Sequence, residues 1–568
     1  MAEGKSSFPL RWAPRLTLLL LLFPIAAGLL GTVLPAFGYL PVLGGEEIGL
    51  APWRRLVHWP GVWRAAELSL FSGLAATAIS ITTVILFTAA WHGQPAFRRF
   101  QRLLSPLLSV PHVTVALGML FLLSPSGWLF RIISPWLTGW QRPPDLLSVQ
   151  DGWGISLTAA LVVKEIPYLF LMMLAALNHV PAVHLRVVAR SLGYAPAAAW
   201  LKGVLPGLYS HLRLPVLAVL VFSTSVVDVS LILGPTRPPT LSVMVMSWFS
   251  DPDLSMRFMA SAGALLQFAL SAMAVLLWLG MERLLARAGR WWIASGRRRF
   301  AEKPVRWLSA AAVLASTVLA MGGFLSMAMW SFARSWRFPD LLPARWTADA
   351  WIRYGNAGNW VFLNSVGIGL ITALIATILT IACLEYEFRH PRRGGYNGLY
   401  VLYLPLLVPQ IAFLFGAQVL FVLLALDGSW AAVIWMHLVF VLPYVFLSLA
   451  EAWRRQDRRY SLTAATLGAP PWRVFWRIRL PMMLRPVLIA LAVGFAVSMG
   501  QYLATVFAGA GRVPTLTTEA VSLSAGGNRR TIGVYALLQA VLPFIVFALA
   551  QIVPAVLYRR RRAMQISR

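Results

Sequence analysis

Charge is scarce in this chain of 568 residues. Asp, Glu, Lys and Arg together make up 12%, and the 20 acidic residues are outnumbered by 49 basic ones. So few charges cannot solvate a soluble fold of this length. With 59% hydrophobic residues, the apolar stretches repeatedly reach the roughly 20 residues that cross a bilayer as helix. The chain therefore reads as an integral membrane protein. Cysteine is almost missing: Cys383 stands alone inside an apolar run, which excludes an intrachain disulfide and leaves packing as its role. Catalytic signatures are missing too. There is no HExxH, no Cys/His cluster and no GxSxG elbow, so chemistry on the chain itself and a metal site are not expected. Gly4-Lys5-Ser6 matches the end of a phosphate-binding loop but lacks the earlier glycine, and is a chance match. The formal charge of +29 is spread between apolar spans, with no long basic arm or aromatic-basic motif, which argues against a nucleic-acid partner.

What is present is a series of apolar runs. The first, Leu16 to Leu40, follows Lys5, Arg11 and Arg15 and is too long for a signal-peptide core, so it is expected to be a retained helix. About twelve spans are expected. In the first half they centre on Leu16 to Phe37, Leu68 to Trp91, Leu104 to Leu123, Ile155 to Leu177, Leu214 to Leu233 and Met259 to Met281. In the second they centre on Trp307 to Trp330, Val361 to Leu384, Leu399 to Leu424, Ala431 to Ala452, Pro486 to Val506 and Val534 to Leu557. Trp128 to Trp140 is too short and proline-broken to span and is expected to be interfacial or re-entrant. With the N-terminus inside, about 34 basic residues fall in cytoplasmic segments against about 14 outside, which orients the chain with both termini cytoplasmic. The densest inside clusters are Arg287 to Arg306, Arg454 to Arg459 and Arg559 to Arg562.

The halves repeat. Ala189 to Leu208 (ARSLGYAPAAAWLKGVLPGL) and Ala464 to Met483 (AATLGAPPWRVFWRIRLPMM) share alanine, leucine, glycine, proline and a closing Leu-Pro in register, about 275 residues apart. Ser69 to Leu74 parallels Ser365 to Leu370, Pro111 to Gly118 parallels Pro409 to Gly416, and Pro167-Tyr168 parallels Pro443-Tyr444. The expected organisation is a first unit over 1–288, a basic linker over 289–306 and a second unit over 307–568. The halves share one orientation, and 124–154 is an insertion in the first. In each copy of the phrase a helical segment meets a glycine, then a short helix starting at Pro196 or Pro471 and ending at the Leu-Pro. Such a helix-turn-helix can project from the membrane as a knob that transmits force from a partner.

This spacing resembles the coupling motif of permease subunits in binding-protein-dependent ABC importers: Glu-Ala-Ala, three residues, Gly, nine residues, Ile, one residue, Leu-Pro. The second loop (457–483) matches at Ala464, Gly468, Ile478, Leu480 and Pro481, with Leu467 before its glycine. The first (182–208) matches at Ala189, Gly193, Leu205 and Pro206, with Leu192 before its glycine. Two departures stand out: Val187 and Leu462 occupy the glutamate position, and Gly203 the isoleucine position of the first copy. Two units fused in one chain are similar to the iron(III) and thiamine permeases. The resemblance implies an all-α membrane protein of the type I ABC importer permease fold, about twelve helices in two parallel six-helix repeats. It implies a pore-forming subunit in the bacterial cytoplasmic membrane, without its own ATPase site. The implied partners are two copies of a cytoplasmic ABC ATPase, where ATP and Mg would bind, and a periplasmic or extracellular solute-binding protein. No cofactor is expected on this chain.

Polar groups inside the spans mark the candidate path. Asp228 and Gln501 hold matching places in the span after each loop, and a charge at membrane depth costs at least ~2.5 kcal/mol facing lipid, which favours an inward position at the pseudo-twofold axis. Lys164 and Glu165 lie mid-span before Pro167, with Phe440 and Val441 at the matching places. Adjacent helical residues point about 100° apart, so these two are expected to find partners elsewhere, Lys164 with Asp228 being one candidate pair. Both a helix lock and a gate or substrate contact suit them. Asp228 and Glu165 favour a cationic or metal-bearing solute, whereas Lys164 and the positive charge pull the other way. An ion-driven carrier with twelve spans is the alternative function, with Lys164, Glu165 and Asp228 as a proton relay, but such a carrier has no ATPase to receive paired coupling loops.

Overall fold

The computed structural model describes residues 8–104, 110–299, 301–356, 359–390, 397–526 and 528–559. Lys5, the Gly4-Lys5-Ser6 match and Arg560 to Arg562 of the last basic cluster lie outside the described residues. The first half contains α1 (Phe8–Ala36), α2 (Ala51–His58), α3 (Val62–Trp91), α4 (Pro95–Leu104), α5 (His112–Leu123), α6 (Trp128–Ile133), α7 (Ile155–Leu177), α8 (Ala182–Ser191), α9 (Pro196–Gly203), α10 (Leu205–Ser225), α11 (Asp228–Leu233), α12 (Leu241–Phe249) and α13 (Met256–Ala294). The second contains α14 (Glu302–Phe332), α15 (Asp349–Asn356), α16 (Trp360–Arg389), α17 (Asn397–Leu407), α18 (Ile411–Leu423), α19 (Trp430–Arg454), α20 (Arg458–Thr466), α21 (Pro471–Val474), α22 (Leu480–Met482), α23 (Leu484–Met499), α24 (Leu503–Gly509), α25 (Leu516–Ser524) and α26 (Arg529–Leu557). A two-residue strand, Arg345–Trp346, pairs antiparallel with Ala333–Ser335 after α14; among the described residues this is the only sheet. Among the described residues ten helices are long and apolar enough to cross a membrane, or twelve if each of two bent pairs counts as one span.

Four expected spans are not straight helices. Among its described residues Leu104 to Leu123 is non-helical at Val110 and Pro111, and α5 starts only at His112. Leu399 to Leu424 is a pair, α17 and α18, bent by 104°. The bend sits at Pro409, whose ring disfavours a helical residue before it and which supplies no amide hydrogen. Leu214 to Leu233 breaks between Ser225 and Asp228, and Pro486 to Val506 breaks between Met499 and Leu503. An average over a span-length window passes over both interruptions, although Asp228 and Gln501 stand at them. Asp228 is thus the first residue of a short helix and not mid-span. The basic segment after Met281 is largely helical: α13 reaches Ala294 and α14 begins at Glu302. Trp128 to Trp140 holds the six-residue α6, which was not expected to be part of a span but ends the span-length segment His112–Ile133.

The two halves are interlocked by exchange of their first helices. α1 packs on α18 and α16 of the second half, and α14 packs on α5 and α3 of the first. Small residues permit both crossings. A Cβ on Gly323 of α14 would lie 2.8 Å from the carbonyl carbon of Gly118 in α5, and one on Gly31 of α1 would lie 2.8 Å from the Cα of Gly416 in α18. Gly118 and Gly416 are matching residues of the repeat. Such close backbone approach replaces the hydrophobic driving force that lipid removes. Each of the two large cores therefore mixes halves. Leu21 and Ile25 of α1 lie in the core built on α16 to α19, and Val313, Ala320 and Met327 of α14 in the one built on α3 to α10.

At the end away from the loops, Arg131 of α6 joins the halves. Its buried guanidinium donates to the carbonyls of Arg337 (2.6 Å) and Asp340 (3.1 Å) and lies 4.7 Å from the Trp336 ring centroid. The 124–154 insertion thus acts as a brace onto the segment after α14.

Candidate functional site

Both copies of the repeated phrase form the same reverse turn. In the first, Gly193 follows α8 with φ +85°; its N–H donates to Arg190 O (2.9 Å), and the N–H of Tyr194 donates to Ala189 O (3.2 Å). In the second, Gly468 follows α20 with φ +79°; its N–H donates to Ala465 O (3.0 Å), and that of Ala469 to Ala464 O (3.0 Å). A positive φ at both positions is what glycine permits at low cost. Pro196 and Pro471 then open α9 and α21, where a proline loses no intrahelical bond. The two Leu-Pro pairs differ. Leu205-Pro206 begins α10 after α9 has ended at Gly203, contrary to expectation, because a proline fits the first turn of the following helix. Leu480-Pro481 closes its segment as expected: α21, a π-helical turn and α22 run on from Pro471 to Met482, and the chain then bends by 72° into α23.

Each turn presents apolar side chains to solvent: Val183, Val187, Val188 and Leu192 on the first loop, and Leu462, Leu467, Trp472 and Trp476 on the second. Val187 and Leu462, at the motif's glutamate position, are among them. Exposed apolar side chains grouped on one loop suit a contact with another protein. The loops lie at one end of the bundle. The first touches the start of α14 through Glu302, and the second touches the end of α16, which returns to that end after α14 has crossed away from it.

Their anchors differ. In the second loop Arg479, nearly fully buried, ion-pairs with Glu385, donates from Nε to Gln456 (2.9 Å) and lies 3.5 Å from the Phe388 ring centroid. One π-helical turn, Phe475–Arg479, carries it. In the first loop the matching residue is the buried Val204, and the contacts run instead to the linker. The Lys202 ammonium, held below the usual lysine range by desolvation and by the charge of Arg297, lies there.

The span breaks form a second matched pair of features. Their freed carbonyls are met by side chains, as backbone at membrane depth requires. Val226 O accepts from Ser230 Oγ (2.9 Å) and Ser242 Oγ (3.0 Å), and Thr224 O accepts from Gln267 (3.1 Å). In the second half Met499 O accepts from Thr517 and from Gln539 (3.4 Å). Ser69 and Ser365, matching residues of the repeat, receive the N–H of Leu241 (2.9 Å) and of Leu516 (2.8 Å), and so fix the starts of α12 and α25 behind the breaks. His437 braces the second break from both sides, with Nδ1 2.7 Å from Ser498 Oγ and Nε2 2.9 Å from Thr505 Oγ1.

The candidate path residues gather in part. Asp228 accepts from the Val229 N–H (2.9 Å) and lies within electrostatic reach of His112 and of Tyr502 from the other half. Tyr502 adjoins Gln501, and a Cβ on Gly500 would stand 3.8 Å from Pro111 of the first half. Glu165 pairs with His112, Nε2 to Oε1 at 3.2 Å, and lies within reach of the matched tyrosines Tyr168 and Tyr444. Lys164 lies within electrostatic reach of its neighbour Glu165, although the two were expected to find partners elsewhere. Glu165 takes His112, and Asp228 turns to its own helix start. Sequence reasoning passed over His112, His437, Arg479 and Glu302. For His112 a signal was available, since it directly follows Pro111 in the repeated stretch; for the others the partners are distant in sequence. Among the described residues no group of three or more His, Cys, Asp or Glu is placed to hold a metal.

The sequence relationship decides the family. The chain is 34% identical over 528 residues to the inner membrane ABC transporter permease protein YnjC of Escherichia coli K12, covering 91% of this chain and 94% of the relative. It belongs to the permease subunits of binding-protein-dependent ABC transporters. The family model for the inner membrane component of binding-protein-dependent transport systems matches residues 369–562, the body of the second half. Shorter matches are with the molybdenum permease ModB of Mycobacterium tuberculosis, 41% over 90 residues (16% of this chain, 34% of the relative), and the putrescine permease PotI of Escherichia coli K12, 29% over 175 residues (28% and 62%). This permease is a multi-pass inner-membrane protein of the type I permease fold and works in an importer alongside an ATPase and a solute-binding protein. The ion-driven carrier is set aside by that membership.

Proposed function

We propose that loops 182–208 and 457–483 are the docking knobs for two copies of the ATPase, one per half. Ala189, Leu192, Gly193, Leu205 and Pro206 shape the first knob. Ala464, Leu467, Gly468, Ile478, Leu480 and Pro481 shape the second. ATP and Mg belong to the partner, and this chain supplies the surfaces that feel the ATPases close. The loop end and both termini are then cytoplasmic, and the Arg131 end faces the solute-binding protein. The solute path runs where Pro111, His112 and Asp228 of the unit over 1–288 meet Gly500 to Tyr502 of the unit over 307–568. Gln501, Glu165 and Lys164 border it.

One observation carries this reading: the same glycine turn, with the same two hydrogen bonds, stands at matched places in both halves and presents apolar side chains outward. Closure of the ATPases pushes the knobs together, and the interlocked halves rock about the axis. Gly193→Val combined with Gly468→Val places a β-branched residue at positive φ in both turns, a conformation such residues rarely adopt. Insertion and yield should be unchanged while ATP-coupled uptake is lost. Full uptake in the double variant would overturn the assignment.

A further inference from the structure

The linker between the halves grips the first loop along its length. Glu302, the first residue of α14, reaches the start of α9. Its Oε1 accepts from the N–H of Ala197 (3.0 Å) and Ala198 (3.4 Å), and Oε2 accepts from Ala197 (3.2 Å). These amides belong to the first turn of a helix, where no intrahelical acceptor exists and a carboxylate is favoured by the helix dipole. Before the helix, the N–H of Ala195 donates to Arg298 O (2.9 Å), and a Cβ on Gly193 would stand 3.2 Å from the Arg298 guanidinium. After it, Lys202 Nζ donates to Trp292 O and Arg297 O, both at 2.8 Å, and sits 4.5 Å from the Trp292 ring centroid. The end of α13, the linker and the start of α14 are thus all fastened to one short helix, whose Ala197 to Trp200 are fully buried.

α14 carries that attachment onward. Arg306 O accepts from Trp91 Nε1 (3.2 Å) at the end of α3, Ser316 Oγ donates to Val163 O (3.2 Å) in α7, and Ser326 Oγ donates to Phe121 O (3.1 Å) in α5. The helix then ends beside the Arg131 brace at the opposite face. The second loop is held in another way, by Arg479 to Glu385 and Gln456, and by Tyr558, which donates to Pro481 O (3.1 Å).

We propose that Glu302 is a positioning residue that latches the first coupling loop to the head of α14, so that this loop and the exchanged helix move as one body and the two loops are mechanically unequal. The inference rests on the reading of the loops as ATPase-docking knobs. The test uses the full complex of this chain with its ATPase and binding protein in nanodiscs, in a Cys383→Ser background. Spin labels at Ser191→Cys and Leu308→Cys report the distance from loop to helix in nucleotide-free and vanadate-trapped states. That distance should be the same in both states with Glu302 present, and should change between states in Glu302→Ala. ATP hydrolysis by the Glu302→Ala complex should fall at least about fivefold, the lower end of typical coupling between distinct sites, with the ATPase still co-purifying. Glu302→Gln, whose amide oxygen still accepts, should recover half or more of the lost activity. A loop-to-helix distance that changes with Glu302 intact would overturn the latch, as would wild-type hydrolysis in Glu302→Ala or a Gln variant no better than Ala. Should Glu302→Ala fail to assemble, Lys202→Met opens the other end of the clasp and is read by the same criteria. If the Gly193/Gly468 double variant retains uptake, the docking reading itself falls; if it loses uptake while Glu302→Ala is normal, only the latch falls.

Discussion

At the scale of single residues, hydroxyl groups do much of the work that water does in a soluble protein. Ser69 and Ser365 are almost fully buried, and each is the acceptor for the first amide of a short helix that in turn supplies a hydroxyl, Ser242 or Thr517, to the carbonyl freed at a span break. Removing the acceptor leaves a buried amide without a partner, at about 1–3 kcal/mol. Ser69→Ala and Ser365→Ala should therefore each lower the unfolding temperature in detergent, by similar amounts, and each should slow uptake because the adjoining break loses its support. A neutral result for one and a large loss for the other would show that the matched bonds are not equivalent. The two histidines stand outside this symmetry. His437 holds two hydroxyls across the second break, whereas the matching residue of the first half is the buried Leu161. The first half places His112 against Glu165 instead.

At the scale of elements, the repeat was legible because a duplicated chain keeps its turn-forming residues in register: Gly193 with Gly468, Pro196 with Pro471, Gly118 with Gly416. The reverse turns and the positions of most spans followed from that pattern. The breaks after Ser225 and Met499 did not, because a hydropathy average cannot see a two- or three-residue interruption whose backbone is satisfied by side chains elsewhere. Nor did the exchange of α1 and α14, since a glycine in an apolar run says that another backbone can come close without saying which. The contact can now be tested at its narrowest points. Gly323→Leu would drive a side chain into the backbone of Gly118, and Gly416→Leu into α1 at Gly28 and Gly31. Overpacking of this kind costs about 1–3 kcal/mol per site. Both variants should show lower thermal stability in detergent than Gly280→Leu, where the added side chain meets open space. Equal stability of all three would mean that the helices do not cross there.

At the scale of the whole molecule, exchange and fusion are two ways of holding the halves together, and only one of them is covalent. α1 belongs by sequence to the first half and by packing to the second, and α14 the reverse, so neither half alone buries the glycine faces of α5 or α18. The connection from Ser295 to Ala301 is short, but its neighbours are already fastened to the first loop through Lys202 and Glu302. A chain cut between Gly296 and Arg297 therefore keeps Glu302 on the second fragment and Lys202 on the first, with the clasp able to re-form between them. Co-expressed fragments 1–296 and 297–568 should assemble in the membrane and co-purify through a tag on either one. Each fragment expressed alone should be degraded, because its unpartnered glycine face offers no packing to replace the missing helix. The reassembled pair should also retain ATP hydrolysis with its partner ATPase, whereas adding Glu302→Ala to the second fragment should weaken both co-purification and hydrolysis. Stable accumulation of either fragment alone would show that the exchanged helices are dispensable to its fold. Failure of the cut chain to assemble, with each fragment present at the membrane, would show that the covalent link holds the halves together where the interlocked packing cannot.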